Sequence, residues 1–220
     1  MAKPIYLDHN ATTPLDKRVL EKMIPYFSEV YGNASSIDHL HGHHAKQAVQ
    51  KAREDIAKIL GCRKNSEIII TSGATESNNL ALIGTFRKYK GKGRHIISSA
   101  IEHPCVLDTL EFLKAEGAEV TLLPVDKYGF ISINDLEDSI RDDTILISVM
   151  FANNEIGIIE PIKEIGQIAK SRNILFRTDA AQAVGHEREM RTGTLNIPAT
   201  VGFGKSAEVT RKQMETQNIN

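Results

Sequence analysis

Residues 144–182 read TILISVMFANNEIGIIEPIKEIGQIAKSRNILFRTDAAQ. The opening run, 144–150, is almost continuously apolar, the pattern of a strand buried on both faces. Residues 162–171 read as a helix, and residues 174–178 return to a short β-rich run. A buried strand, a crossover helix and another strand imply a parallel sheet covered on both sides.

Working outward, the same alternation extends upstream to about residue 66. Residues 67–72 (EIIITS), 95–99 (HIISS) and 119–123 (EVTLL) read as strands. Residues 75–90 form a helix carrying Leu80, Leu82, Ile83 and Phe86, and residues 105–116 a helix stopped by Gly117. Ser132 is placed to cap a short helix through Ile140. Two helices precede this core, over 17–30 and over 42–60, the second ended by Gly61; a last helix covers about 197–214. The expected fold is therefore α/β, a mostly parallel five-stranded sheet with helices on both faces.

Bulk composition narrows the function classes. The 220 residues are 41% hydrophobic and 25% charged, with a formal net charge of -1. That balance argues against nucleic acid or an acidic membrane as the main partner, since both favour a basic surface. The two cysteines, Cys62 and Cys105, are too few for a disulfide framework and point to a reducing, cytoplasmic setting. The N-terminus has no apolar signal region and no run approaches the length of a bilayer span.

Ligands of open α/β sheets bind beyond the carboxyl ends of the strands, and the unusual polar residues fall there. Thr71-Ser72-Gly73-Ala74-Thr75-Glu76 is a small-residue turn opening a helix, where free N–H groups, the helix dipole and the Thr75 hydroxyl suit a phosphate. A plain Ser/Thr helix cap explains it equally well when taken alone. His103 follows the next strand, Asn153 and Asn154 follow residues 144–150, and Asp179 and Gln182 follow the last strand. A strand-end aspartate either caps a helix or pairs with a protonated ring nitrogen.

The segments YLDHNATTPLD (6–16), GNASSIDHLHG (32–42), ITSGATESNNLAL (70–82), SSAIEHPCVLDTL (98–110), FANNEIGIIEPI (151–162), TDAAQAVG (178–185) and GHEREMRTGTLN (185–196) resemble the cysteine desulfurases of the NifS/IscS type. These are class V aminotransferases, of the fold type I pyridoxal-phosphate enzymes. The resemblance implies that Ala74 and Thr75 hold the phosphate of pyridoxal 5'-phosphate, that His103 stacks on its ring and assists proton transfer, and that Asn154 and Gln182 lie near the ring hydroxyl. It implies that Asp179 pairs with the ring nitrogen. It also implies that Thr194 reaches the phosphate of a neighbouring subunit, hence a homodimer. The reaction implied takes L-cysteine to L-alanine, with the sulfur held as an enzyme persulfide and passed to iron–sulfur scaffolds or thiolation partners.

The chain departs from that pattern after Gln182. Gln182-Ala183-Val184-Gly185 runs directly into His186-Glu187-Arg188-Glu189-Met190-Arg191, which in the family lies well beyond the Schiff-base lysine. A block of several tens of residues is missing at Gly185-His186, and the sequence ends before the persulfide cysteine and the substrate-binding arginine. The expectation is an internally deleted, truncated large domain, inactive alone, with the cofactor held non-covalently at best. Residues 1–15 would form an N-terminal arm, 16–185 the cofactor-binding domain, and 186–220 the lead into a small C-terminal domain. A non-catalytic subunit paired with a full-length desulfurase is the alternative. Loss of internal strands also leaves sheet edges and apolar faces to be covered.

Three other features carry weaker readings. Ala199–Ser206 comes close to a phosphate-binding GxxxxGK[ST] loop but lacks the first glycine and a preceding buried strand. Lys205 within it is a poor substitute for the missing lysine, because the matching family segment is a helix leading away from the cofactor. His39, His41, His43 and His44 cluster without a completing carboxylate or thiolate, so a solvated helix start is expected there rather than a metal site.

Overall fold

The apolar runs build a parallel sheet in the computed structural model, which describes residues 4–8, 13–182 and 197–217. By their contacts these fall into two compact units, residues 74–182 with 4–8, and residues 13–73 with 197–217. No helix among the described residues is long and apolar enough to cross a membrane.

In the first unit the elements run α4 (Ala74–Tyr89), β1 (His95–Ser99), α5 (Pro104–Ala115), β2 (Glu119–Leu123), α6 (Ile133–Ser139), β3 (Thr144–Ser148), α7 (Ile162–Ser171) and β4 (Leu175–Arg177). The sheet order is β2-β1-β3-β4 and every pair is parallel. Strand alternation divides the core in two. Ile96 and Leu146 pack under α4 and α5 with Leu82, Phe86, Val106 and Leu110. Ile97, Leu123 and Ile147 pack on the opposite face with Leu136 of α6 and Ile165 and Ala169 of α7. Each of the buried Ile, Leu, Val and Phe side chains contributes about 1.5–3 kcal/mol relative to exposure. Helices therefore cover both faces, and every residue of β1 and β3 is buried.

Helix ends follow local chemistry. The Ser132 hydroxyl accepts from the Asp135 N–H at 3.2 Å, and Gly117 adopts φ 95° just beyond α5. At the amino end of the strands His95 is fully buried, its ring bonded to the hydroxyls of Thr144 and Thr121, both at 2.8 Å.

The second unit holds α1 (Lys17–Met23), α2 (Pro25–Ser28), α3 (Leu40–Leu60) and α8 (Ile197–Gln217). The expected helix over 17–30 is broken, because Pro25 has no N–H to continue a ladder and instead opens α2 at its first position. His39 caps α3 through Nδ1, which accepts from the Gly42 N–H at 3.1 Å, and Tyr31 stacks on His41 with centroids 5.6 Å apart. Helix geometry also removes the phosphate-loop reading of residues 199–206, which lie inside α8. The small residue there serves packing: a Cβ on Gly204 would lie 2.5 Å from Ala52 Cα of α3.

One expected strand is corrected. Asn65–Glu67 form a 3₁₀ turn, and the rest of residues 67–72 belongs to none of the described strands. Ile68 is extended at φ -86°, ψ 112°, and buries against Ile56, Ala57 and Ala207, while Ile69 is 70% exposed. The in–out alternation of a strand is present, but a ladder needs a neighbour to share hydrogen bonds, and here the burial is against helices.

Candidate active site

The strand order fixes where a site can form. From β1 the chain moves outward to β2, then crosses back to β3 on the other side of β1. Neighbouring strands whose connections leave in opposite directions open a crevice at their carboxyl ends. Into that crevice run the segments after β1 (Ala100 to Pro104), after β3 (Val149 to Asn154) and after β4 (Thr178 to Gln182).

On the face shared with α4 and α5 the apolar core gives way to a polar layer at this edge. Ser98 donates to the Ser148 carbonyl at 2.8 Å. Arg177, last residue of β4, donates from one guanidinium nitrogen to Ser148 Oγ at 2.9 Å and from another to Asn78 Oδ1. Asn78 in turn donates from Nδ2 to Asp179 Oδ2 at 2.7 Å and approaches Cys105 Sγ at 3.1 Å. The second oxygen of Asp179 accepts from the Ala181 N–H at 3.0 Å. Asn78 lies one turn inside α4, so its bond to Asp179 sets the amino end of α4 beside the carboxyl end of β4. Ala74 and Thr75, the first two residues of α4, are exposed there.

His103 is exposed and caps the amino end of α5. Its Nδ1 accepts from the Cys105 N–H at 3.2 Å and lies 3.0 Å from Cys105 Sγ. Accepting a backbone N–H requires an unprotonated Nδ1, so the free ring nitrogen, Nε2, carries the exchangeable proton. Asn153 is structural: its Oδ1 accepts from the N–H groups of Glu155 and Ile156, and its Nδ2 donates to the Ile101 carbonyl at 3.0 Å. That locks the turn presenting Asn154, which is half-buried, as is Gln182.

Two buried ionisable groups lie behind this edge. Glu102 is 4% exposed; its Oε1 accepts from the Met150 N–H at 2.6 Å and its Oε2 has no partner among the described residues. Burial pushes its carboxyl up to about 7, against the Met150 N–H and the charge of Arg177. Burial likewise lowers the Arg177 guanidinium, and the opposite charges of Asp179 and Glu102 counter the shift.

Ala74, Thr75, His103, Asn154, Asp179 and Gln182 thus all belong to the first unit. Thr194 and the Gly185-His186 junction lie outside the described residues. Lys205 belongs to the second unit, inside α8, with Nζ 3.0 Å from Glu208 Oε2. Sequence reading overlooked Asn78, Arg177 and Glu102. Arg177 carried a visible signal, a lone charge in the apolar run ILFRT, two residues from Asp179 and so on the same strand face.

A parallel sheet with a polar crevice at its switch point, an exposed helix start and a strand-end carboxylate is the arrangement of an α/β ligand-binding domain. Residues 5–190 match the family model for aminotransferase class V. A cysteine desulfurase IscS from Methanosarcina thermophila is 44% identical over 98% of the chain, which spans 64% of that relative. A Homo sapiens cysteine desulfurase is 41% identical over 97% of the chain, here spanning 57% of the relative. A solved NifS-like protein superposes at TM-score 0.88 with 34% identity, covering 96% of this chain and 71% of that one. A structure titled SspA in complex with cysteine gives 0.86, with 34% identity, 97% and 76%. The chain belongs to the class V aminotransferase family and is similar to the NifS-like cysteine desulfurases within it. The alignment to the Methanosarcina protein is 262 positions long against 220 residues here, so that relative carries residues inside the aligned stretch with no counterpart in this chain.

This family implies pyridoxal 5'-phosphate, and the residues present fit it. An ionised carboxylate offers about four acceptor positions. The Asp179 side chain, about 10% exposed, has one N–H on each oxygen, which leaves capacity for a ring N–H. The exposed start of α4 offers N–H groups and the Thr75 hydroxyl to a phosphate.

Proposed function

We propose that these residues are the cofactor-binding part of a cysteine desulfurase-like protein, with residues 74–182 as the core of the domain drawn over 16–185. The observation that carries this reading is the Asn78–Asp179 bond, which sets the amino end of α4 and the carboxylate that follows β4 at one edge of one sheet. In the reading, Ala74 and Thr75 hold the phosphate, Asp179 accepts from the ring nitrogen, and Asn154 and Gln182 flank the ring hydroxyl. His103 exchanges a proton at Nε2. When bound, pyridoxal 5'-phosphate supplies an electron sink for charge developing on the amino-acid substrate.

The substrate proposed is L-cysteine, converted to L-alanine with its sulfur passed onward for iron–sulfur cluster assembly or thiolation. The relatives' names and the cysteine-bound SspA structure support it. A second copy of the chain would complete the site through Thr194. The setting proposed is cytoplasmic, in keeping with two unpaired cysteines. Because the run from Gln182 into His186 omits the segment that bears the family's lysine, we propose that this chain alone holds the cofactor without a covalent link and does not turn over.

Calorimetric titration of the purified chain with pyridoxal 5'-phosphate tests the site. Saturable binding is expected, weakened about tenfold or more by Asp179→Asn, which removes a charged acceptor. Absence of saturable binding, or equal binding by the variant, would refute the reading.

A further inference from the structure

The polar layer behind Asp179 is built as a chain of donors, each with its acceptor fixed by the one before. We propose that Arg177, acting through Asn78, is a positioning residue that sets the direction of the Asp179 carboxylate toward the ring nitrogen; this rests on the cofactor reading above.

A carboxamide can turn by 180° and exchange its donor and acceptor ends, so Asn78 by itself would not define what Asp179 meets. Arg177 removes that freedom. A guanidinium only donates, and its contact with Asn78 demands the oxygen at that end. The Nδ2 end is then turned to Asp179 Oδ2, at 2.7 Å. Arg177 is itself held by its bond to Ser148 Oγ and lies 3.8 Å from Asp179 Oδ2. Asn78 is 4% exposed, on the buried stripe of α4 that continues through Leu82 and Phe86, so it has no solvent with which to satisfy a reversed amide. With Oδ1 of Asp179 tied to the Ala181 N–H, the carboxylate is held at both ends before any ligand arrives. Such preset acceptors require no reorganisation at the moment of binding.

Two variants that preserve bulk separate positioning from folding. Arg177→Lys keeps the charge but cannot hold Ser148 and Asn78 together in a planar fork. Asn78→Asp keeps the shape and the Arg177 contact but replaces the donor to Asp179 by a second carboxylate. The first readout uses the cofactor-free chain: the side-chain amide resonances of Asn78, assigned by ¹⁵N NMR. Slow solvent exchange is expected in the unsubstituted chain, about tenfold faster in Arg177→Lys; unchanged exchange would overturn the proposal. The second readout is the ring-nitrogen resonance of ¹⁵N-labelled pyridoxal 5'-phosphate. Both variants are expected to shift it toward the free-ligand value and weaken binding about tenfold. If the unsubstituted chain binds and Asp179→Asn moves that resonance but neither variant does, the positioning role fails while the cofactor reading stands. If the unsubstituted chain binds no cofactor, the reading falls and the proposal with it.

Discussion

Replacing Arg177 by methionine is expected to destabilise the first unit by about 3–5 kcal/mol, the range for breaking a buried ion pair from one side. The Arg177 and Asp179 side chains are 14% and 10% exposed, so neither carries enough water to absorb the loss of the other. Without the guanidinium, the Asn78 and Ser148 oxygens lose a donor and Glu102 loses the nearest opposite charge. The contrast is Arg87 with Glu116, 2.5 Å apart but 54% and 28% exposed, whose removal is expected to leave the urea midpoint unmoved because solvent screens such pairs. Equilibrium urea unfolding of both variants checks this. A loss below about 1 kcal/mol for Arg177→Met would mean the polar layer is not held by its charge. In a double-mutant cycle, Asp179→Asn on the Arg177→Met background should cost less than on the unsubstituted chain, since the two share one interaction.

The second large effect is a pH dependence of stability set by Glu102. Its folded carboxyl sits at about 7, above the ordinary 4.5, chiefly because burial disfavours the charge. A group raised on folding contributes stability that is complete below its unfolded value and is lost as pH climbs through the folded one. Between about pH 4.5 and pH 7 the free energy of unfolding should therefore fall by about 3 kcal/mol from this residue. Glu102→Gln keeps an oxygen for the Met150 N–H and cannot ionise. We expect the variant to lose that slope and to be the more stable protein at about pH 8. Urea melts of both proteins at about pH 5 and about pH 8 decide it; equal slopes would place the titrating group elsewhere.

The sheet and its two covered faces were legible because strands buried on both faces read as near-continuous apolar runs, and 144–150 supplies one. Helix ends were legible where one residue has one local use, as with Ser132 and Gly117. Residues 67–72 mark the limit: alternation is a property of the segment itself, whereas a ladder belongs to two segments. Pro25 marks the break between α1 and α2, because it has no N–H to continue a helical ladder. Strand-end position and family motif singled out Thr75, His103, Asn154, Asp179 and Gln182, all of which fall in the first unit. Asn78 stayed hidden because it occupies a core position on α4 in line with Leu82 and Phe86, where sequence shows only a polar residue out of place. Its partner Asp179 lies a hundred residues away in sequence, and only the fold brings them together.

The proposed cofactor site without a covalent lysine is tested most directly by borohydride reduction of the chain saturated with pyridoxal 5'-phosphate, followed by gel filtration in denaturant and peptide mass mapping. The visible chromophore is expected to separate from the polypeptide, with no lysine carrying a reduced pyridoxyl group. A stoichiometric pyridoxyl adduct on a single lysine would contradict it.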